Sequence, residues 1–93
     1  MSLNEAFGET VRSARLYLKL SQTVFAANCG IDRTYLSDIE HGKHTIGIDI
    51  VQRIAERVGF AIFMSNMIAI YSGKTAKWAG TGKVKKMGWV ADV

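Results

Sequence analysis

The sequence predicts an all-α fold: a compact four- or five-helix domain over residues 1–71, followed by an irregular or hairpin tail over 72–93. Three observations carry this prediction. Phe7, Val11, Ala14 and Leu18 recur at spacings of four, three and four, the stripe of a helix with one buried face. Between residues 22 and 39, Phe25, Cys29, Ile31, Leu36 and Ile39 form two shorter stripes separated at Gly30. Val51, Ile54, Ala55 and Val58 then form a further stripe that stops at Gly59.

The first helix is expected from about Leu3 to Lys19, with Met1-Ser2-Leu3 carrying no functional weight. Arg12 and Arg15 lie at the edge of its stripe, where their stems can pack while the cations reach water. Ser21 and Asp32 stand before the next two helices, and each side-chain oxygen can accept from a free amide of the first turn. Ala26 falls where these helices should cross; its methyl permits the close approach that a crossing of roughly 90 to 120° requires. Gly30 sits where the chain must enter a left-handed conformation to reverse. The polar loop His41 to Thr45 contains Gly42, which suits a helix C-terminus. The fourth helix, about Ile48 to Val58, carries Asp49, Gln52, Arg53, Glu56 and Arg57 opposite its apolar face and reads as core closure.

Phe60 to Tyr71 contains no charged residue, so its surface should be buried, in part against a second subunit. As a helix it places Phe63, Met67 and Ile70 together; as a strand pair it would turn at Ser65-Asn66. The remainder holds four glycines, five lysines and two tryptophans without helical period. GTGK between Trp78 and Trp89 suits a hairpin, and the alternative is an irregular tail pinned by its tryptophans. Lysines beside aromatics suit nucleic acid. GTGK is too short for a phosphate-binding loop.

At 93 residues the chain is one small domain, in the size range where a partner commonly adds stability, so a dimer is expected. No run of about 18 apolar residues and no signal-like start is present, and one cysteine cannot build a disulfide framework; a cytoplasmic setting is expected. The net charge of +4 points to a polyanionic partner, and its distribution is uneven. Residues 1–60 hold seven basic against seven acidic residues, whereas 61–93 hold five lysines against Asp92. A body of zero net charge must meet phosphate by placing a few cations and amides, with no general positive field.

Gln22 to Ile39 therefore reads as two short helices joined by a tight turn, a helix-turn-helix. The segment resembles the helix-turn-helix of phage-repressor and xenobiotic-response-element (XRE) type regulators, and the likeness runs from about residue 6 to 60. FGETVRSARLYLKLSQ is similar to that family's first helix with its paired arginines, and IEHG followed by IGIDIVQRIAERVGF to its fourth. Asp32 to Ser37 resembles the recognition helix of restriction-modification controller proteins. Ile46 and Gly47 depart from the proline and serine usual in the family, which bears on the loop geometry. The resemblance implies an ion pair between Arg15 and Glu40. It also favours a fifth, dimerising helix over 60–71, with Phe63, Met67 and Ile70 at its interface.

A recognition helix from about Arg33 to Ile39 buries Leu36 and Ile39 and leaves Arg33, Thr34, Ser37 and Asp38 on its outer side, the side that enters a major groove. Arg33 suits a bidentate contact with guanine; Thr34 suits a thymine methyl or a phosphate; Asp38 suits a cytosine amino group or, in preference, a role in orienting Arg33 or repelling mismatched sites. Gln22 looks like a phosphate clamp that also buttresses Arg33. Lys43, His44, Thr45 and the loop amides are further expected phosphate contacts, with a solvated loop as the alternative for His44. Tyr35 belongs either against the DNA backbone or in the core. One such helix reads few base pairs, so a homodimer on a roughly palindromic site is expected.

His41 and His44 lack third and fourth ligands for zinc, with Cys29 at an apolar helix position, so neither metal nor cofactor is expected. No nucleophile with a base and no carboxylate pair can be assembled, which argues against an enzyme. The expected function is a sequence-specific DNA-binding transcriptional regulator with double-stranded DNA and itself as partners. The alternatives are the DNA-binding antitoxin of a toxin-antitoxin pair, with a toxin as protein partner, or an adaptor that has lost DNA binding.

Overall fold

A computed structural model of the chain describes residues 1–43, 45–75 and 78. α1 spans Leu3–Tyr17 and opens on a capping box: the Ser2 hydroxyl accepts from the Glu5 amide at 3.1 Å, and the Ser2 amide donates to Glu5 Oε1 at 2.7 Å. The Ser2 amide first, and then the Ser2 side chain, hold the Glu5 carboxyl below its ordinary pKa. Ser2, given no weight in the sequence reading, thus starts the first helix. α1 ends two residues before the expected Lys19, because Lys19 takes a left-handed φ of 60°. There its amide donates to the Leu16 carbonyl, and the Leu20 amide donates to that of Arg15.

α2 (Gln22–Cys29) and α3 (Arg33–Glu40) start at Ser21 and Asp32 as expected; Ser21 Oγ accepts from the Val24 amide and Asp32 Oδ2 from the Thr34 amide. Gly30, at φ 70° and ψ 32°, makes the turn between them, with its own amide and that of Ile31 bonded to the Ala27 and Ala26 carbonyls. Ala26 is buried in the core. α4 (Ile48–Val58) opens at Gly47 without a side-chain cap, the consequence of glycine standing where the family has serine.

α5 (Phe60–Tyr71) is a helix, which removes the strand-pair alternative. It leaves α4 at a bend of 111° around Gly59, whose φ is 129°. Among the described residues all regular structure is helical: α1 packs on α3 and α5, α4 on α5, and α2 on α3 and α4. The shared core contains Phe7, Val11, Phe25, Leu36, Ile39, Ile54 and Phe63. Each such large apolar side chain stabilises by about 1.5–3 kcal/mol relative to exposure. No single helix among the described residues is long and apolar enough to cross a membrane.

One expectation about the C-terminal half changes. Phe63 and Ile70 are 0% and 3% exposed, so both are used inside the subunit and cannot meet a partner. Phe63 packs edge-on against Phe7 at a ring separation of 5.6 Å and against Trp78 at 6.2 Å. Met67 is half-buried in a groove with Phe7, Ile46 and Met64. The large apolar residues of α5 that face outward are Phe60, Ile68 and Tyr71, each more than half exposed. Trp78, read as part of the 72–93 tail and as a residue that could pin it, is buried in the same core. Trp89, GTGK and the lysines after Lys74 lie outside the described residues.

Candidate nucleic-acid interface

α3 places the candidate base contacts by its phase. Leu36 and Ile39 are fully buried, and this fixes the rotation of the helix: Arg33 and Thr34 are exposed at its N-terminal end, with Ser37 and Asp38 half-buried beside them. The Thr34 amide is committed to Asp32, which leaves its hydroxyl for other partners. Tyr35 is half-buried and packs against the core.

Behind this face, Arg15 and Glu40 form the ion pair that the family resemblance implies. Arg15 Nε donates to Glu40 Oε2 at 2.7 Å and Nη2 to Oε1 at 3.0 Å, while Nη1 donates to the Leu20 carbonyl at 2.9 Å. The side chains are 11% and 1% exposed. This two-bond geometry in a shielded position ties α1 to the end of α3 far more firmly than a surface ion pair does. Gln22 does not buttress Arg33: its Nε2 donates to Glu40 Oε1 at 3.1 Å.

Lys43 and Thr45 are exposed after α3; His44 lies outside the described residues. The loop amides are less available than expected. Gly42 and Lys43 donate theirs to the Ile39 and Asp38 carbonyls, closing the end of α3, so these two N–H groups cannot also bind phosphate. His41 Nδ1 donates to the Ser37 carbonyl at 2.7 Å, which directs one ring nitrogen into the helix.

Several contributors escaped the sequence reading. Gly8 lies where α1 crosses the end of α3, and a Cβ there would collide with the Ile39 carbonyl oxygen. A glycine within a helical stripe was the available signal. Arg53 and Arg57, placed opposite the apolar face of the fourth helix, turn toward the end of α2: Arg53 Nη1 donates to the Gly30 carbonyl at 3.2 Å and Arg57 Nη2 to Asn28 Oδ1 at 3.1 Å. Cations are favoured at a helix C-terminus. Cys29 beside them is buried, and burial pushes its thiol up to about 12 despite the opposing charges of Arg57 and Arg53. It is therefore a protonated core side chain at neutral pH. Among the described residues no three His, Cys, Asp or Glu side chains come together to hold a metal ion.

Two short helices locked at a glycine turn, the second presenting an arginine and a threonine from a buried frame, define a DNA-binding transcription regulator of the helix-turn-helix class. A helix-turn-helix family profile matches residues 11–62, and the chain belongs to this family, in its XRE-type branch. It is similar to the control protein C.BamHI of Bacillus amyloliquefaciens, with 39% identity over 54 residues, 57% of this chain and 67% of that protein. It is also similar to the control protein C.MunI of a Mycoplasma species, with 40% identity over 43 residues, 46% of this chain and 58% of the relative. No solved structure gives a significant match.

Proposed function

We propose that the chain acts as a homodimer that reads a roughly palindromic operator through α3, without catalytic chemistry. The observation that carries the base-reading part is the pairing of fully buried Leu36 and Ile39 with exposed Arg33 and Thr34 on one short helix. Arg33 makes the bidentate contact with guanine, Thr34, Ser37 and Asp38 complete the base-facing set, and Gln22, Lys43 and Thr45 meet phosphates. The DNA partner and the free thiol of Cys29 fit a cytoplasmic setting.

The dimer part rests on a different surface from Phe63 and Ile70. Two adjoining open grooves, about 360 and 270 Å³, share Ile48, Val51 and Met64, and Phe60 borders the first. Ile48 is 80% exposed and Ile68 on α5 is 61% exposed. A second copy is the occupant that the function demands, because one reading helix covers too few base pairs for useful specificity.

Selection of binding sites from random duplexes tests base reading. Arg33→Ala should weaken the preferred site by ~1–3 kcal/mol and flatten sequence preference, whereas Lys43→Ala should weaken all duplexes alike. Unchanged preference in Arg33→Ala removes that residue from base reading.

A further inference from the structure

Glu40 has a third donor besides the two nitrogens of Arg15. Its Oε1 also accepts from Gln22 Nε2, so the last residue of α3 binds the first residue of α2 while both are tied to α1. An ionised carboxylate only accepts hydrogen bonds, and this one is already held by a guanidinium. The primary amide of Gln22 must therefore turn its nitrogen, not its oxygen, toward Glu40. That choice fixes a torsion which is otherwise two-fold and broad. It also determines what Gln22 has left, namely one N–H and its carbonyl, at the end of α2 where first-turn backbone amides lack intrahelical acceptors.

We propose that Glu40 is a positioning residue for DNA binding, orienting the Gln22 amide so that its remaining N–H donates to a phosphate oxygen of the DNA backbone. The inference rests on the reading of Gln22 as a phosphate contact. Phosphate oxygens only accept, so an amide that presented its carbonyl outward would meet them with the wrong group. Half-buried Gln22, nearly inaccessible Glu40 and Arg15 thus form a chain of bonds leading from α1 to the DNA-facing end of α2. The ion pair then serves binding as well as stability.

A double-mutant cycle on the full chain tests this, with wild type, Gln22→Ala, Glu40→Gln and the double variant. Binding to one preferred duplex and one random duplex is measured by fluorescence anisotropy at fixed salt. Thermal melts set an assay temperature at which all four proteins are folded. Gln22→Ala should weaken both duplexes about ten-fold, the scale of a hydrogen bond to a charged group. Glu40→Gln should cause a similar loss in the wild-type background and less than about a two-fold loss when Gln22 is already alanine. If Glu40→Gln does not fold, Glu40→Asp takes its place, keeping the charge for Arg15 while withdrawing the carboxylate from Gln22.

Equal losses in both backgrounds would overturn the proposal and make Glu40 purely structural. Undiminished binding by Gln22→Ala would overturn it as well. Arg33→Ala run in parallel separates this from the parent reading: flattened sequence preference there, with an additive cycle, leaves base reading intact and removes only the Glu40 link.

Discussion

Gly8→Ala is the substitution whose outcome is hardest to anticipate from the sequence and best determined by the structure. In an exposed helix interior the change adds about 1 kcal/mol of stability, because alanine is the better helix former. At residue 8 the new methyl would be driven into the Ile39 carbonyl oxygen, with the Ile39 and Glu40 carbonyl carbons at 3.2 and 3.3 Å. All three are backbone atoms, so no side-chain rotation relieves the contact, and α1 must move away from the end of α3. Overpacking of this kind costs about 1–3 kcal/mol, and a backbone obstacle places it toward the upper end.

The same movement stretches the Arg15–Glu40 contact, which spans the same two helices. Steric cost therefore exceeds propensity gain, and net destabilisation of about 2 kcal/mol is expected, a fall in Tm of about 8–16 °C for a domain of this size. Differential scanning calorimetry, with Glu9→Ala as the neighbouring control expected within about 0.5 kcal/mol of wild type, reads the difference. A Tm for Gly8→Ala equal to or above that of wild type would refute the close crossing of α1 on α3.

Lys19 occupies the left-handed position at the end of α1, where a non-glycine residue is disfavoured by about 1–2 kcal/mol. Lys19→Gly should raise stability in denaturant melts by up to about 1 kcal/mol after the added unfolded-state entropy is deducted, and a loss would show that the side chain matters there. Ile48→Glu or Ile68→Glu should give folded monomers by sedimentation, whereas buried Phe63→Ala should lose about 3–5 kcal/mol of stability; a glutamate variant that stays dimeric moves the interface elsewhere. Removing residues 79–93, which keeps Trp78 in the core, deletes Lys83, Lys85 and Lys86. If these meet phosphate without choosing the site, the slope of log affinity against log salt should shrink by up to about 2.7 with operator ranking preserved, while an unchanged slope excludes them from contact.

The legible parts of this fold were those governed by neighbouring residues. Ser21 and Asp32 act as caps and Gly30 as a turn through bonds within a few positions, so their residue types alone foretold them. The rotation of α3 was equally readable, because Leu36 and Ile39 contrast with polar neighbours. α5 offers no such contrast. All twelve of its residues are uncharged, so nothing in the string distinguishes buried Phe63 from exposed Phe60, and the interface was assigned to the inward face. Gly8, Arg53 and Arg57 were opaque for another reason: each meets a group of a distant segment, the Ile39 and Gly30 carbonyls and the Asn28 side chain, visible only once the helices are placed.

The distribution of cations now explains how a body with no net charge over residues 1–60 can serve a polyanion. Of its seven basic residues, Arg15 is neutralised by Glu40, and Arg53 and Arg57 are bonded near the end of α2. Arg12, Lys19, Arg33 and Lys43 are left exposed without a salt bridge among the described residues, and Arg33 and Lys43 bracket the reading helix. On the acidic side, Glu40 is withdrawn behind α3, and one oxygen of Asp32 is tied to the Thr34 amide. The Arg15–Glu40 pair cancels within the body, which leaves exposed Arg33 and Lys43 as cations flanking α3, where salt screens beyond roughly 8–10 Å. If Arg33 and Lys43 meet DNA as proposed, attraction of that range acts only after docking, and any long-range capture must come from the five lysines after residue 60.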